Sequence, residues 1–184
     1  MSNVPSWCWL SSKIPVFNFF QEEGLRGECI QQEICGGVFV HSDSGNAMGI
    51  KAENIDVFPE KYFMMDLNAV KKAAPDGYEL RAIYHSHLLH QPKLSYADTQ
   101  VMNTTGLDMV VISMKYREIR RFRKTGPVCR AIESFQWGPL QDEASLDVQN
   151  GEMANFVYTM KWFNEDQQDY ESDDGLIKAT FIQL

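Results

Sequence analysis

The chain has 184 residues, of which 44% are apolar and 23% charged, and its formal net charge at pH 7 is −8. This length and composition predict one globular domain with a sizeable core, with room for an appendage, and exclude disorder as the default state. The negative charge argues against a nucleic-acid-binding surface. No apolar run approaches the ~20 residues of a transmembrane helix, and no signal-peptide core is present, so we expect a cytoplasmic protein without a membrane partner.

The four cysteines form no Cys-x-x-Cys pair; they are Cys8, Cys29, Cys35 and Cys129. This spacing does not predict a zinc knuckle or a redox motif. We expect reduced, partly buried thiols rather than a disulfide framework.

The first half of the chain predicts helices and strands in alternation. Residues 1–16 predict a short strand or an ordered arm, whose Trp7 and Trp9 pack rather than bind. A rough apolar stripe predicts a helix over residues 16–32, although Gly24 and Gly27 interrupt it. The following segments predict a strand (35–40), a turn (43–46), a second strand (47–54), an extended segment (61–66), a helix (67–74) and a turn (75–77).

The next stretch predicts a strand that ends in a pair of histidines. The segment Leu80 to Tyr84 is apolar and β-branched enough to predict a strand that runs into His85. Residues two apart on a strand share a face, so His85 and His87 should project together. A helix should follow Asp98 and end at Gly106. Residues 108–113 predict a buried strand, and residues 115–123 a half-exposed one.

The histidine pair allows two interpretations. Two imidazoles, joined by a carboxylate from elsewhere, form the three-ligand set of a catalytic zinc site, which leaves a fourth position for water. Paired histidines at the end of a strand can also be surface polar residues. Likewise, Ser95 followed by Asp98 three residues later fits a helix N-cap with a capping box.

The composition shifts after Pro139. Residues 140–184 contain ten acidic and two basic residues, so this segment carries the whole net charge of −8. Residues 156–163 and 176–182 look like strands separated by an acidic connection, residues 164–175. We therefore expect a domain over 1–139 and an acidic extension over 140–184, forming a β-hairpin packed on the same domain; a charge run of this kind is usually a solvated loop.

The motif as a whole resembles the JAMM (MPN-type) metalloproteases. Their signature is His-Ser-His, seven residues, serine, two residues and aspartate, which here is His85-Ser86-His87, Ser95 and Asp98. The family also has a glutamate in a Glu-x-Cys-Gly context before the first core strand, and Glu33-Ile34-Cys35-Gly36 matches it. The resemblance covers roughly residues 15–125. The chain departs from many members in having Leu88-Leu89, not proline, after the second histidine.

The resemblance implies an α/β fold, in which a mixed, curved β-sheet is flanked by helices in a cytidine-deaminase-like arrangement. It implies one zinc ion (Zn2+) per chain, held by His85, His87 and Asp98. Glu33 would act as general base and then general acid, and Ser95 would hydrogen-bond the developing oxyanion. Ser86 should point to the opposite face, and the motif gives His90 no role.

The activity implied is hydrolysis of the amide after the C-terminus of a ubiquitin-like or other small β-grasp protein. The compact form resembles prokaryotic and phage members, so a partner of the E1/E2-like or phage-tail kind is expected. A phage tail-assembly protease and a cysteine-releasing peptidase for sulfur carriers are alternatives. A non-catalytic MPN scaffold subunit would lack a ligand, and a zinc deaminase would need a Pro-Cys-x-x-Cys motif, which is absent.

Overall fold

The computed structural model describes residues 9–10, 15–136, 159–162 and 179–182. In chain order its elements are α1 (Pro15–Ile30), β1 (Cys35–His41), β2 (Ala47–Ala52), β3 (Phe63–Asp66), α2 (Leu67–Ala73), β4 (Tyr78–His87), α3 (Tyr96–Thr105), β5 (Asp108–Ser113), β6 (Glu118–Thr125), β7 (Val128–Gln136), β8 (Thr159–Trp162) and β9 (Ala179–Ile182). No helix in this part of the chain is long and apolar enough to cross a membrane.

Seven strands form one mixed sheet in the order β2-β1-β4-β5-β6-β7-β8. β4 and β5 run parallel, with α3 as the connection between them, while the other neighbours are antiparallel. A second, two-stranded sheet pairs β3 with β9 in parallel. The predicted α/β fold, a mixed sheet flanked by helices, is confirmed.

The central strands are buried on both faces, because helices cover the sheet from two sides. Phe17 and Phe20 of α1 belong to a core cluster that includes Tyr84 of β4. On the other face, Val70 of α2 and Met102 of α3 belong to a second cluster. Successive residues of β4 alternate between the two clusters, as side chains on a pleated strand must.

The helices of the second face begin and end where the sequence places capping residues. At the start of α2, Asp66 accepts a hydrogen bond from the backbone N–H of Ala69 at 3.0 Å. Gly106 ends α3 with φ at 69°, a left-handed conformation that glycine adopts at little cost. The helix after the histidine strand thus ends at the predicted residue.

Beyond the core domain, the predicted C-terminal hairpin is wrong. The two predicted strands exist as β8 and β9, but each pairs with a different strand: β8 with β7, and β9 with β3. The prediction failed because adjacent strand-like segments were assumed to pair with each other. Their acidic connection, residues 164–175, and most of the extension lie outside the described residues.

A long-range contact ties the N-terminal segment to the sheet. The backbone N–H groups of Trp9 and Leu10 donate to the buried carboxylate of Glu133 on β7, at 2.8 Å and 3.1 Å. The Trp9 ring lies over the Arg121 guanidinium at 3.5 Å. Trp9 therefore packs, as predicted; Trp7 and the rest of the predicted arm lie outside the described residues.

Three cysteines can be placed in the fold, and none of them forms a disulfide. Cys29 is exposed, whereas Cys35 and Cys129 are buried. This agrees with the prediction of free, partly buried thiols. Cys8 lies outside the described residues.

Candidate metal centre

The end of β4 and the start of α3 bring three metal-binding side chains together. His85 and His87 project from one face of β4, with 3.1 Å between their Nε2 atoms. Asp98 reaches them from the first turn of α3, with 3.4 Å between its Oδ2 atom and His85 Nε2. All three residues are fully buried, and their ligand atoms lie within 4.8 Å of one another. The structure thus assembles the predicted ligand set.

These separations fit a single metal ion. Two ligands of a tetrahedral ion, at bond lengths of about 2.0–2.2 Å, are separated by roughly 3.3 Å. The observed 3.1 Å and 3.4 Å lie on either side of this value. Among the described residues, the buried Asp98 Oδ1 atom has no hydrogen-bond partner, which is costly for a carboxylate unless a cation compensates it.

The position of His87 selects the form of imidazole that binds metals. Its Nδ1 atom lies 2.8 Å from the backbone carbonyl oxygen of Gln91. Since a carbonyl can only accept, Nδ1 carries the hydrogen and Nε2 keeps its lone pair for the metal. Burial, together with the nearby His85, lowers the pKa of His87 to about 3, so its ring is neutral at neutral pH.

The charge state of Asp98 is set by opposing effects. Burial alone would raise the pKa of this carboxyl, but the charge and hydrogen bond of His85 outweigh it, and the pKa is lowered. Asp98 is therefore an anion over the neutral range, which supplies the negative ligand of the set.

An aromatic ring holds the first histidine in place. Phe63 of β3 stacks on His85, with 4.5 Å between ring centroids and 22° between the ring planes. Both rings are fully buried. β3 thus fixes the plane of this ligand, although Phe63 itself has no group that could bind a metal.

Ser95 serves as the N-cap of α3. Its hydroxyl oxygen accepts from the Asp98 N–H at 3.1 Å, and Asp98 Oδ2 accepts from the Ser95 N–H at 2.9 Å. The capping box is therefore present at the same time as the ligand set. Asp98 Oδ2 takes part in both, and Asp98 Oδ1 has no hydrogen-bond partner among the residues that the structure describes. Ser95 is 6% exposed, and because its hydroxyl accepts the Asp98 N–H, its own O–H can still donate. The predicted hydrogen bond from this hydroxyl to an oxyanion stays a prediction.

Glu33 lies just before β1, the strand that pairs with the histidine strand β4. Cys35 is the register partner of His85 in the antiparallel pair of β1 and β4. The Ser86 N–H donates to the Ile34 carbonyl, and the Ser86 hydroxyl accepts from the Ile34 N–H, so the two segments stay aligned one residue beyond the strand. Continuing this alignment by one more residue puts Glu33 opposite His87. Directly opposed residues share a face. Glu33 is 3% exposed and lies at the border of a small cavity.

This cavity has a volume of about 120 Å³. Besides Glu33 it is lined by Glu60, Lys61, Leu88, Leu89 and His90. Leu88 and Leu89 thus form a wall beside the predicted general base. Larger cavities, of about 670 Å³ and 700 Å³, border the opposite ends of the strands and contain none of the predicted site residues.

His90 lies close to the ligands but is not one of them. Its ring stands perpendicular to that of His87, with 6.3 Å between centroids. Its carbonyl oxygen accepts from the Ser113 hydroxyl at 2.7 Å. The ligand group contains His85, His87 and Asp98 without His90.

Sequence reasoning missed the residues that hold the ligands and the base in position. They are Asn54, Phe63, Ser86 and Gln91. Ser86 and Gln91 lie within the span of the motif, and of these only Ser86 had a predicted orientation, toward the opposite face. The residues other than Ser86 act across long sequence separations or through a backbone atom, so no local pattern in the sequence reveals them.

Comparison with known proteins adds no function. The sequence matches no family model and no curated protein at a significant score. A solved structure that it resembles is the solution structure of protein DSY2949 from Desulfitobacterium hafniense, with 16% sequence identity, coverage of 89% of this chain and 88% of that chain, and a TM-score of 0.40. A similarity at this level supports no conclusion about function.

Proposed function

We propose that this protein is a zinc-dependent isopeptidase or peptidase of the JAMM type. The observation that carries the proposal is the convergence of His85, His87 and Asp98 on one point, with the buried Glu33 at the small cavity that His90 also lines. Two imidazoles and one carboxylate are a ligand set that suits zinc. Three protein ligands leave a coordination position open, which is the arrangement of a catalytic rather than a structural zinc site.

The chain's own groups have distinct tasks in the proposed reaction. Zinc supplies Lewis acidity and lowers the pKa of water that it binds. Glu33 accepts the proton of the attacking water and later delivers it to the leaving amine. The Ser95 hydroxyl donates to the oxygen of the scissile carbonyl as negative charge develops there. The Gln91 carbonyl and the Phe63 ring keep the two imidazoles oriented.

The surroundings of the site favour a protein substrate. The Glu33 N–H donates a 2.7 Å hydrogen bond to the carbonyl of Pro59. The loop that contains Pro59 also contains Val57 and Phe58, whose side chains are exposed. Leu89, across the small cavity, is 72% exposed. Exposed apolar side chains near a cavity suit a protein-binding surface.

The proposed substrate is a ubiquitin-like or small β-grasp protein, cleaved after its C-terminus, with an E1/E2-like enzyme as a cytoplasmic partner. A phage tail-assembly protease and a sulfur-carrier cysteine peptidase keep the same chemistry with other substrates. A non-catalytic MPN scaffold is the alternative of another class. The complete ligand set, together with a buried glutamate beside it, favours the enzyme.

The test separates metal binding from chemistry. Glu33→Gln preserves the shape of the side chain but cannot accept a proton. Zinc content should therefore stay at about one per chain, while cleavage of a ubiquitin-like protein carrying a C-terminal fluorophore amide should fall roughly 10²–10⁴-fold.

Glu60→Gln is the matched control, because Glu60 lines the same cavity. It should keep near wild-type turnover. Equal activity in Glu33→Gln and wild type would refute the role of Glu33, and a wild-type protein that binds no zinc would refute the proposal as a whole.

A further inference from the structure

Residues 33 and 34 lie between α1 and β1, outside helix and strand, yet each of their backbone polar groups has a specific partner. These four hydrogen bonds are Glu33 N–H to the Pro59 carbonyl (2.7 Å), Asn54 Nδ2 to the Glu33 carbonyl (2.8 Å), Ile34 N–H to the Ser86 hydroxyl (2.8 Å) and Ser86 N–H to the Ile34 carbonyl (3.0 Å). The backbone N–H and C=O groups of this irregular segment thus all have hydrogen-bond partners, as those of a central strand do.

Ser86 connects this segment directly to the metal ligands. It lies between His85 and His87 on β4, is fully buried, and projects from the opposite face of the strand, as alternate residues do. Its hydroxyl oxygen accepts the Ile34 N–H, and its own N–H donates to the Ile34 carbonyl. The backbone next to Glu33 is therefore hydrogen-bonded to Ser86, the residue between the two histidine ligands.

Asn54 connects Glu33 to the segment that supports the first ligand. Its Nδ2 atom donates to the carbonyls of Glu33 and Tyr62, at 2.8 Å and 2.9 Å. Its Oδ1 atom accepts from the N–H groups of Asp56 and Met64, at 3.1 Å and 3.2 Å. A single side chain thus joins Glu33 to both neighbours of Phe63, whose ring stacks on His85.

We infer that Ser86 and Asn54 are positioning residues, which hold the Glu33 carboxylate at a fixed place relative to the metal ligands. Neither touches the metal or the substrate; they act by fixing the backbone on either side of Glu33. An error of about 1 Å in the placement of a reacting group can cost roughly 10²-fold in rate, so such clamps matter for function. The inference rests on the proposed role of Glu33.

Acetohydroxamic acid, a small metal-binding molecule, reports on Glu33 without a protein substrate. It binds a metal as its anion, and the proton that leaves its hydroxyl group is taken up by the Glu33 carboxylate. Its dissociation constant on the Co²⁺-loaded protein, read from the visible absorption of cobalt, therefore measures whether Glu33 is in place. Glu33→Gln should weaken this binding by roughly tenfold or more, because a charge-assisted hydrogen bond is lost.

Two variants remove one clamp each. Ser86→Ala deletes the acceptor for the Ile34 N–H, and Asn54→Asp replaces the donor to Glu33 with an oxygen while keeping its size. Each should weaken acetohydroxamate binding about three- to tenfold at unchanged cobalt content. Neither should weaken it further in the Glu33→Gln background, since residues that act through one group are not additive.

Ser134→Ala is the matched control for loss of a buried hydroxyl. Ser134 lies on β7, is 1% exposed, and donates to Glu118 at 2.6 Å, away from the ligands. It should leave the acetohydroxamate affinity unchanged. A rescue variant, Ser86→Thr, retains the hydroxyl and should restore most of the binding lost in Ser86→Ala.

The outcomes separate this inference from the proposed function. A wild-type protein without cobalt binding, or an affinity unaffected by Glu33→Gln, overturns the proposed function. If the wild-type protein binds cobalt and Glu33→Gln weakens acetohydroxamate binding, but the Ser86 and Asn54 variants bind it like wild type, only the positioning role is overturned. Loss of cobalt in both clamp variants would make Ser86 and Asn54 determinants of the fold, and would equally overturn it.

Discussion

At the scale of single residues, the site depends on groups that never touch a metal. The Gln91 carbonyl fixes the tautomer of His87, and Phe63 fixes the ring of His85. Outer partners of this kind typically change metal affinity by about 10–100-fold when they are removed. The motif names the ligands, but these partners decide how well the ligands are oriented.

The three ligands should be individually necessary for zinc binding. His87→Ala and Asp98→Ala each leave two ligands, which hold zinc poorly, so both proteins should lose most of their zinc after dialysis. Elemental analysis of the purified variants measures this. His90→Ala is the control, because His90 lies beside His87 outside the ligand group, and it should retain about one zinc per chain. Full zinc in both ligand variants would refute the assignment.

Cys35, inside the Glu-x-Cys-Gly context, should be chemically inert. Burial, together with the nearby Glu33, raises the pKa of its thiol to about 12, so the reactive thiolate is almost absent at pH 8. A maleimide added to the native protein should therefore label the exposed Cys29 and spare Cys35 and Cys129, as read by peptide mass mapping. After denaturation all three should react. Fast native labelling of Cys35 would contradict the burial.

At the scale of the elements, sequence patterns located most helices and strands because their causes are local. β5 has the predicted bounds, Asp108–Ser113, because it is a short, largely apolar run with a turn at each end. No strand was predicted over β7, where the alternation is broken: Glu133 is fully buried, and Ile132 beside it is only partly buried. Glu133 is buried because distant groups, Trp9, Leu10 and Arg121, satisfy it.

Strand pairing shows the same limit. The sequence predicts β8 and β9 as strands, but their partners are β7 and β3, which no pattern within residues 140–184 can indicate. The group that could hold a metal was predictable because the motif lies within a strand, a loop and a helix that follow one another. The clamps on Glu33 were not, since they require β1, β4 and the loop after β2 to meet.

The pairing of β9 with β3 should contribute to the metal site. Ending the chain at residue 178 removes β9, so Phe63 and its neighbours lose a parallel partner. The free energy of unfolding should fall by about 1–3 kcal/mol, since a short ladder of hydrogen bonds contributes roughly 1 kcal/mol per bond at most. A chelator should also remove zinc faster, because Phe63 stacks on His85.

The variant Phe63→Leu, with β9 intact, shows whether the truncation acts through that ring. Faster zinc loss in both proteins, without addition in the combined variant, would support this route. Unchanged zinc release from the truncated chain would show that β9 has no bearing on the metal site.

At the scale of the whole molecule, charge is divided unevenly along the chain. Residues 140–184 carry the entire net charge of −8, and the preceding residues are neutral in sum. Complementary charge chiefly accelerates association and is screened by salt. This asymmetry predicts that the acidic extension helps to attract a basic face of the protein substrate.

Deleting residues 164–175 should therefore raise KM for a protein substrate and leave kcat nearly unchanged. The effect should shrink as salt is added, and cleavage of a short peptide that spans the same bond should not change. Steady-state kinetics at low and high ionic strength provide the measurement. Equal KM values for the full and shortened chains at low salt would refute the attraction and leave the zinc assignment untouched.

The separation along the chain between the metal ligands and Glu33 has a consequence for how the protein matures. The ligands lie on consecutive elements, β4 and α3, whereas the clamp between Ile34 and Ser86 spans 52 residues. Closing the longer loop costs about 1 kcal/mol more, and contacts between distant residues form later in folding. In the proposed enzyme, a newly made chain would therefore bring its metal ligands together before the proposed proton acceptor is in place. On this ordering, the proposed activity would appear only when folding is complete.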